Sequence, residues 1–290
     1  MRAERAARRP AAFVLLLSLA ALAALAGCAT KTGPATTPDG TTYGGDTDSA
    51  PREPVDVSRI PDPVPRAEPR SARGNPPFYE VMGRRYYVMK DADAATYRER
   101  GIASWYGTKF HGRSTSSGEP YDMYAMTAAH KTLPLPVYVR VTHRGNGRSI
   151  IVRVNDRGPF IGDRIIDLSY AAAVRLGMHN EGTALVDVEV IDGASGRPAR
   201  LAAANPQAPV AEPQPVWLQV GAFSEQANAA RLKSRLESKG IHQVALVAEG
   251  HTGRQVYRVR VGPLHEVEEV ERMLERVREL GINDAHLAMD

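Results

Sequence analysis

The chain has 290 residues, with 37 Lys and Arg against 33 Asp and Glu, 43% hydrophobic residues and a single cysteine. One cysteine excludes an internal disulfide and a cysteine-based metal site. The length accommodates two small domains, each with its own core.

In chain order, the first feature is a basic stretch with Arg2, Arg5, Arg8 and Arg9, followed by an apolar run from Ala11 to Ala26. The run is shorter than the roughly 20 residues of a spanning helix and fits a secretory signal. It ends in Leu25-Ala26-Gly27-Cys28, which resembles the lipobox of exported lipoproteins. The resemblance implies acylation of Cys28 and a membrane anchor there. Ala29 in the next position implies sorting to the outer membrane, facing the periplasm. Removal of residues 1–27 takes +3 from the formal net charge of +4 and leaves a nearly neutral chain. No Lys/Arg-dense stretch remains as a footprint for nucleic acid.

Residues 28–77 hold ten of the 21 prolines. Such a composition buries too little apolar surface to offset its ordering entropy, and predicts a flexible tether. A second Pro-rich break, 194–215, separates two folded units, 78–193 and 216–290.

Unit 78–193 reads as short strands, among them Val137–Val141, Ile150–Val154 and Val186–Val190. One short helix is expected near Ser169–Leu176, capped by Asp167 and closed by Gly177. Little helix and many turns predict a small β-barrel. Three segments concentrate reactive groups. Ala103-Ser-Trp-Tyr-Gly107 offers Trp105 and Tyr106, as core or as a sugar platform. Ser117–His130 offers Glu119, Asp122 and His130. Val152–Phe160 ends an apolar strand in Asn155, Asp156 and Arg157. A carboxyl at a strand end before a Gly-Pro turn can line a cleft, and glycosidic cleavage needs a carboxylic acid at the leaving oxygen. Each group also has a plain reading: Asp156 as a turn cap, Glu119 as a loop acid, His130 as a structural histidine. His111, His130 and Asp156 could form a metal site only by tertiary approach, because no close His pair is present.

Unit 216–290 contains a repeat at an offset of 41: Val220-Gly-Ala-Phe223 matches Val261-Gly-Pro-Leu264, and Gly240-Ile241 matches Gly281-Ile282. Strand-like runs at 216–221, 243–248, 256–261 and 285–289 alternate with two helical patterns, giving βαββαβ, a ferredoxin-like sheet with both helices on one face. Leu218, Val220, Val259 and Val261 must then face the helices. Trp217, Gln219, Arg258 and Arg260 are expected on the open face, a set suited to sugar rings.

Trp217-Leu-Gln-Val-Gly-Ala-Phe223 and Tyr257-Arg-Val-Arg-Val-Gly-Pro263 resemble the two strand motifs of SPOR domains, which implies binding of peptide-stripped septal peptidoglycan on that face. Residues 101–107, 118–130, 152–160 and 164–169 (GIASWYG, GEPYDMYAMTAAH, VRVNDRGPF, RIIDLS) resemble the rare lipoprotein A family of septal lytic transglycosylases. The resemblance implies a double-psi β-barrel in 78–193. It also implies that Asp156 acts as acid and base at the MurNAc–GlcNAc bond. Asp156 would protonate the leaving oxygen and then take the proton of the muramic acid 6-hydroxyl, giving 1,6-anhydro ends. Glu119 would stabilise positive charge or tune Asp156, His130 would orient a carboxylate, and Trp105, Tyr106 and Arg157 would contact substrate. This chemistry requires no metal or cofactor. The implied partners are glycan strands, the membrane through Cys28, and division proteins. Two other readings stay open: an inverting hydrolase pairing Glu119 with Asp156, and a non-catalytic glycan-binding module of the expansin kind.

Overall fold

The structure, a computed structural model, describes residues 35–36, 42–43, 48–51, 56–191, 215–251 and 254–289. The signal segment and Cys28 lie outside the described residues, as does nearly all of 194–215. Among the described residues no helix is long and apolar enough to cross a membrane. Residues 35–36 and 42–43 form a small antiparallel pair in a separate unit, Met1–Gly45.

The rest begins with a hairpin of β1 (Phe78–Val81) and β2 (Arg84–Tyr87) and a single helical turn, α1 (Asp91–Ala94). Six strands follow: β3 (Arg98–Tyr106), β4 (Thr127–His130), β5 (Val137–His143), β6 (Ser149–Asp156), β7 (Arg164–Ser169) and β8 (Ala184–Val190). They run side by side in the order β8–β5–β6–β4–β7–β3, and β3 pairs back with β8 to close the barrel. The β3–β7 and β4–β6 pairs are parallel and the others antiparallel. Closure leaves no free edge, which is how so small a sheet protects its backbone groups. Val139, Val141, Val152, Val154, Ile166 and Leu168 fill the interior.

Helix α2 (Tyr170–Leu176) follows β7 directly. Its N-cap is Ser169, whose hydroxyl accepts the Ala172 amide at 3.2 Å, and Gly177 ends it at φ 80°. The expected cap, Asp167, is therefore a strand residue. The side chain two positions closer to the helix has the better reach to its free amides.

The expected flexible tether does not extend to Pro77. Val57 and Ile60 pack on the barrel core, and Arg175 on α2 holds the Ile60 carbonyl at 2.6 Å and Asp62 at 3.0 Å. Further along, Asn75 exchanges hydrogen bonds with the Leu135 backbone at 2.7 and 2.8 Å. Before it, Asp48 accepts the Gly107 and Lys109 amides at 2.7 and 3.0 Å. A proline-rich composition withholds backbone donors but does not prevent a segment from being strapped down by side-chain bonds.

The C-terminal unit comprises β9 (Val216–Phe223), α3 (Gln226–Ser238), β10 (Val244–His251), β11 (Arg254–Leu264), α4 (Val267–Glu279) and β12 (His286–Leu287). Its sheet order is β12–β9–β11–β10, the ferredoxin-like arrangement that the repeat predicts. Leu218, Val220, Val259 and Val261 join Ala229, Leu236, Val270, Leu274 and Val277 from the two helices in one core. This sheet meets the barrel through β12, where Leu287 pairs with Arg100 of β3. Ile102 and Leu185, cross-strand neighbours on the outer barrel wall, are only 1% and 7% exposed and belong to the C-terminal core. Arg100 clasps the junction, giving one N–H to the Ala288 carbonyl at 2.9 Å and another to Asp187 at 2.6 Å.

Candidate active site

The site is built where β6, β4 and β7 lie side by side. Two-residue alternation along β6 sends Val152 and Val154 into the barrel, and by parity it would send Asp156 there too. A bulge prevents this. Ala128 of β4 pairs with Val154, but the next residue, Ala129, pairs with Asp156, so Asn155 is an extra residue. The bulge turns Asp156 to the side of Ala129, away from the core, as bulges beside active sites commonly re-aim a side chain.

Asp156 Oδ1 accepts three donors: the Ser116 amide and hydroxyl, each at 2.8 Å, and the Arg157 amide at 2.7 Å. Such a cradle suits negative charge. It also ties the 114–120 loop to the end of β6, since the Ser117 amide meets the Asn155 carbonyl at 3.2 Å.

Glu119 has a different setting. Arg153 grips both of its oxygens at 2.7 and 2.9 Å, and the Asn155 amide adds a bond at 2.9 Å. The Arg153 hydrogen bonds hold the Glu119 carboxyl below the usual range. The same Arg153 binds Glu68 from the ordered strap at 2.9 and 3.1 Å and pulls that carboxyl down to about 2. Arg153 is the register partner of Thr127 and so lies on the same face as Ala129 and Asp156, where the Glu68–Arg153–Glu119 cluster braces the 114–120 loop.

His130 is expected to orient one of these carboxylates. Its described hydrogen bonds go elsewhere. Nδ1 accepts the Thr132 and Leu133 amides at 3.1 and 3.0 Å, and Nε2 meets the Tyr97 hydroxyl at 2.8 Å. The amides assign the proton to Nε2, and Tyr97 in turn donates to Glu99. Burial first, then Arg157 and Lys131, push the imidazole down to about 3, so it is neutral. It is a rigid corner post of β4.

Arg157 is also structural. Its N–H groups go to the carbonyls of Gly74 (2.6 and 2.9 Å), Leu133 (2.5 Å) and His130 (3.2 Å). Burial lowers its pKa to about 10. Tyr106 is buried and stacks on Tyr121 at 4.0 Å between centroids. Trp105 meets Tyr170 edge-on at 5.6 Å and packs on the barrel core. Both aromatics form the wall under the site rather than an open platform. His111 is engaged at Nδ1 by the Met123 amide at 3.2 Å. Among the described residues no group of three His, Cys, Asp or Glu comes together as a metal site.

A second acidic residue, which the sequence pattern places as a helix cap, belongs to the same neighbourhood. Asp167 of β7 sits between the buried Ile166 and Leu168 on the opposite parity, and it pairs with Ala129 from the other side. It accepts a short hydrogen bond from Ser104. A polar residue between two core positions of a strand was the signal for it.

On the C-terminal sheet, Arg258 donates from Nη1 to the Gln219 side-chain Oε1 at 3.0 Å and from Nε to Glu249 at 2.7 Å, and Arg260 reaches Glu249 at 2.9 Å. Gln219 also contacts His286 at 3.3 Å. Only 7% exposed, Gln219 is the floor of this network rather than an open-face contact. Glu249 and His286 come from strands that carry no motif, and the sequence did not single them out.

A closed six-stranded barrel with two parallel pairings, followed by a four-stranded βαββαβ unit, defines the class: a double-psi β-barrel joined to a SPOR-type module. The family model described as lytic transglycolase matches residues 98–188, and the SPOR domain model matches 212–287. A Pseudomonas aeruginosa protein named endolytic peptidoglycan transglycosylase RlpA is 45% identical over 280 residues, covering 80% of this chain and 81% of its own length. A Vibrio cholerae protein of the same name is 52% identical over 167 residues, covering 58% of this chain and 59% of its own. The crystal structure of the RlpA SPOR domain from Pseudomonas aeruginosa is 28% identical, covering 26% of this chain and 99% of its own, with a TM-score of 0.24. The chain belongs to the RlpA family.

Proposed function

We propose that this chain is an endolytic peptidoglycan transglycosylase in which Asp156 works at the cleaved MurNAc–GlcNAc bond. Family membership supports the activity. The observation that carries the residue is the bulge that turns Asp156 out of the core and into a cradle with Ser116. Attack by the muramic acid 6-hydroxyl on C1 closes the 1,6-anhydro ring without consuming water. A group must take the hydroxyl proton, and a carboxylate within hydrogen-bond reach does so. The hydrolytic alternative needs Glu119 as the partner of Asp156 across a water. Glu119 instead has three donors on its two oxygens, which favours the lytic reading.

The C-terminal sheet supplies the second contact with the glycan. Arg258, Arg260, Glu249 and Trp217 offer guanidinium and carboxylate groups and an indole for sugar hydroxyls and rings. A lipid on Cys28 would hold the enzyme at the outer membrane, and the C-terminal unit would direct it to peptide-stripped glycan at the division septum. Digestion of amidase-treated peptidoglycan by the purified chain, read by mass spectrometry, tests the activity. Anhydro-muramyl ends support it, and ends heavier by one water sink it in favour of hydrolysis. Absence of soluble fragments would leave a binding module.

A further inference from the structure

Asp156 and Asp167 flank the same residue. Ala129 on β4 is the register partner of Asp156 on β6 and of Asp167 on β7. Register partners project to the same face, so both carboxyls stand on one side of the sheet with only a methyl group between them. Strand spacing puts their Cα atoms about 9–10 Å apart. That is room for a glycosidic oxygen and the attacking hydroxyl between two carboxyl groups. The turn after Asp156 lies over the same face, since the Gly158 Cβ position is 3.8 Å from the Ala129 Cβ. Gly158, at φ 137°, has no Cβ, and one built there would stand 4.0 Å from Asp167 Oδ2.

The two groups live in opposite surroundings. Asp156 has three donors on one oxygen, while Asp167 has the Ser104 hydroxyl, with Arg164 at 3.7 Å. The Asp167 side chain is 18% exposed, buried enough to lose hydration yet still reachable. Burial, with Asp48 adding to it, raises its pKa against the opposing pull of Arg164, Ser104 and Lys131. When two neighbouring carboxyls are pushed toward different charge states, the acid and base roles divide between them.

Resting on the lytic reading above, we propose that Asp167 is the proton donor to the leaving sugar oxygen, and that Asp156 only takes the proton from the 6-hydroxyl. In the step, the C1–O4 bond breaks as the Asp167 proton passes to O4. The C1–O6 bond forms as the O6 proton passes to Asp156. The carboxyls finish with their protonation exchanged and reset through solvent. Ser104 is a positioning residue for Asp167.

The test compares Asp167→Asn and Asp156→Asn in the full chain on two substrates. One is natural peptide-stripped glycan. The other is a peptide-stripped oligomer ending in a MurNAc dinitrophenyl glycoside, whose leaving group departs without protonation. Asp167→Asn should lose about 10²- to 10⁴-fold on the natural strand, while staying within about tenfold of the parent on the activated substrate. Asp156→Asn should fail on both. Asp167→Glu should keep activity and shift the alkaline limb of the pH–rate profile. Full natural-strand activity in Asp167→Asn overturns the proposal. So does an equal loss on both substrates in a variant with unchanged circular dichroism and glycan affinity. A parent chain that yields no anhydro ends overturns the activity itself, and the role of Asp167 with it.

Discussion

Along β9 and β11 of the C-terminal sheet, Leu218, Val220, Val259 and Val261 lie against the helices and Arg258 and Arg260 on the other face, although the pair shifts register between Gln219 and Gly221. Along β6 of the barrel, alternation carries Val152 and Val154 inward and would carry Asp156 with them. One inserted residue, Asn155, reverses it. An open sheet with one covered face keeps its apolar residues on that face even across a register shift, because burial against the helices decides the side. A closed barrel must bend at its rim, and there the bulge decides which side chain reaches the cleft. The contrast teaches that the covered face of the C-terminal sheet can be read from its apolar residues, and that the direction of a polar residue at the barrel rim requires the register.

The largest effect should come from breaking the barrel side of this comparison. Asp156→Asn should remove anhydro-product release by at least about 10³-fold, while glycan pull-down through residues 216–290 persists. Next is the surface that joins the two regions. Ile102→Asp puts a charge where the C-terminal core covers the barrel wall, and should cost about 4 kcal/mol in the thermal unfolding of the whole chain. Small-angle scattering should show a larger radius of gyration as the units separate.

The strap gives a third, smaller effect. Glu68 has a depressed folded pKa, so its contribution is present above the ordinary carboxylate range and lost as pH falls toward about 2. Glu68→Gln should therefore destabilise the chain at pH 7 in denaturant unfolding, by about 1 kcal/mol for a partly solvated pair. The gap between variant and parent should close on acidification. On the C-terminal side, Arg258→Ala removes bonds to Gln219 and Glu249 and should weaken glycan binding about tenfold by calorimetry. Smallest is a gain. Asp167 has a raised folded pKa, so the parent loses stability as pH rises above the ordinary carboxylate value. Asp167→Asn should melt higher at neutral pH, and its advantage should shrink on acidification.

Several elements were legible residue by residue. The repeat at an offset of 41, with Gly240 and Gly281 after two apolar helix faces, is enough for βαββαβ, because each glycine ends a helix and each short run can only return as a strand. Gly177 and the alanine-rich 170–176 segment did the same for α2, although Ser169 rather than Asp167 supplies its cap. The strap from Asp56 to Pro77 was not legible. Its contacts are isolated side-chain and backbone bonds from Asp62, Glu68, Asn75 and the Gly74 carbonyl to partners far along the chain. No local pattern encodes a partner 60 or more residues away.

The sequence by itself determined the two-unit layout, the strand and helix order, and a short list of polar residues at strand ends, because local periodicity and turn residues carry that information. Only the tertiary structure decided which of those residues are held by structural partners and which share one face of the barrel. Glu119, His130 and Arg157 were claimed by Arg153, by Tyr97 and backbone amides, and by backbone carbonyls. Asp156, held by Ser116 and the Arg157 amide, and Asp167, held by Ser104, flank Ala129 on one face. The physical reason is that a side chain's charge and direction are set by its neighbours in space, and a bulge one residue long is enough to change both.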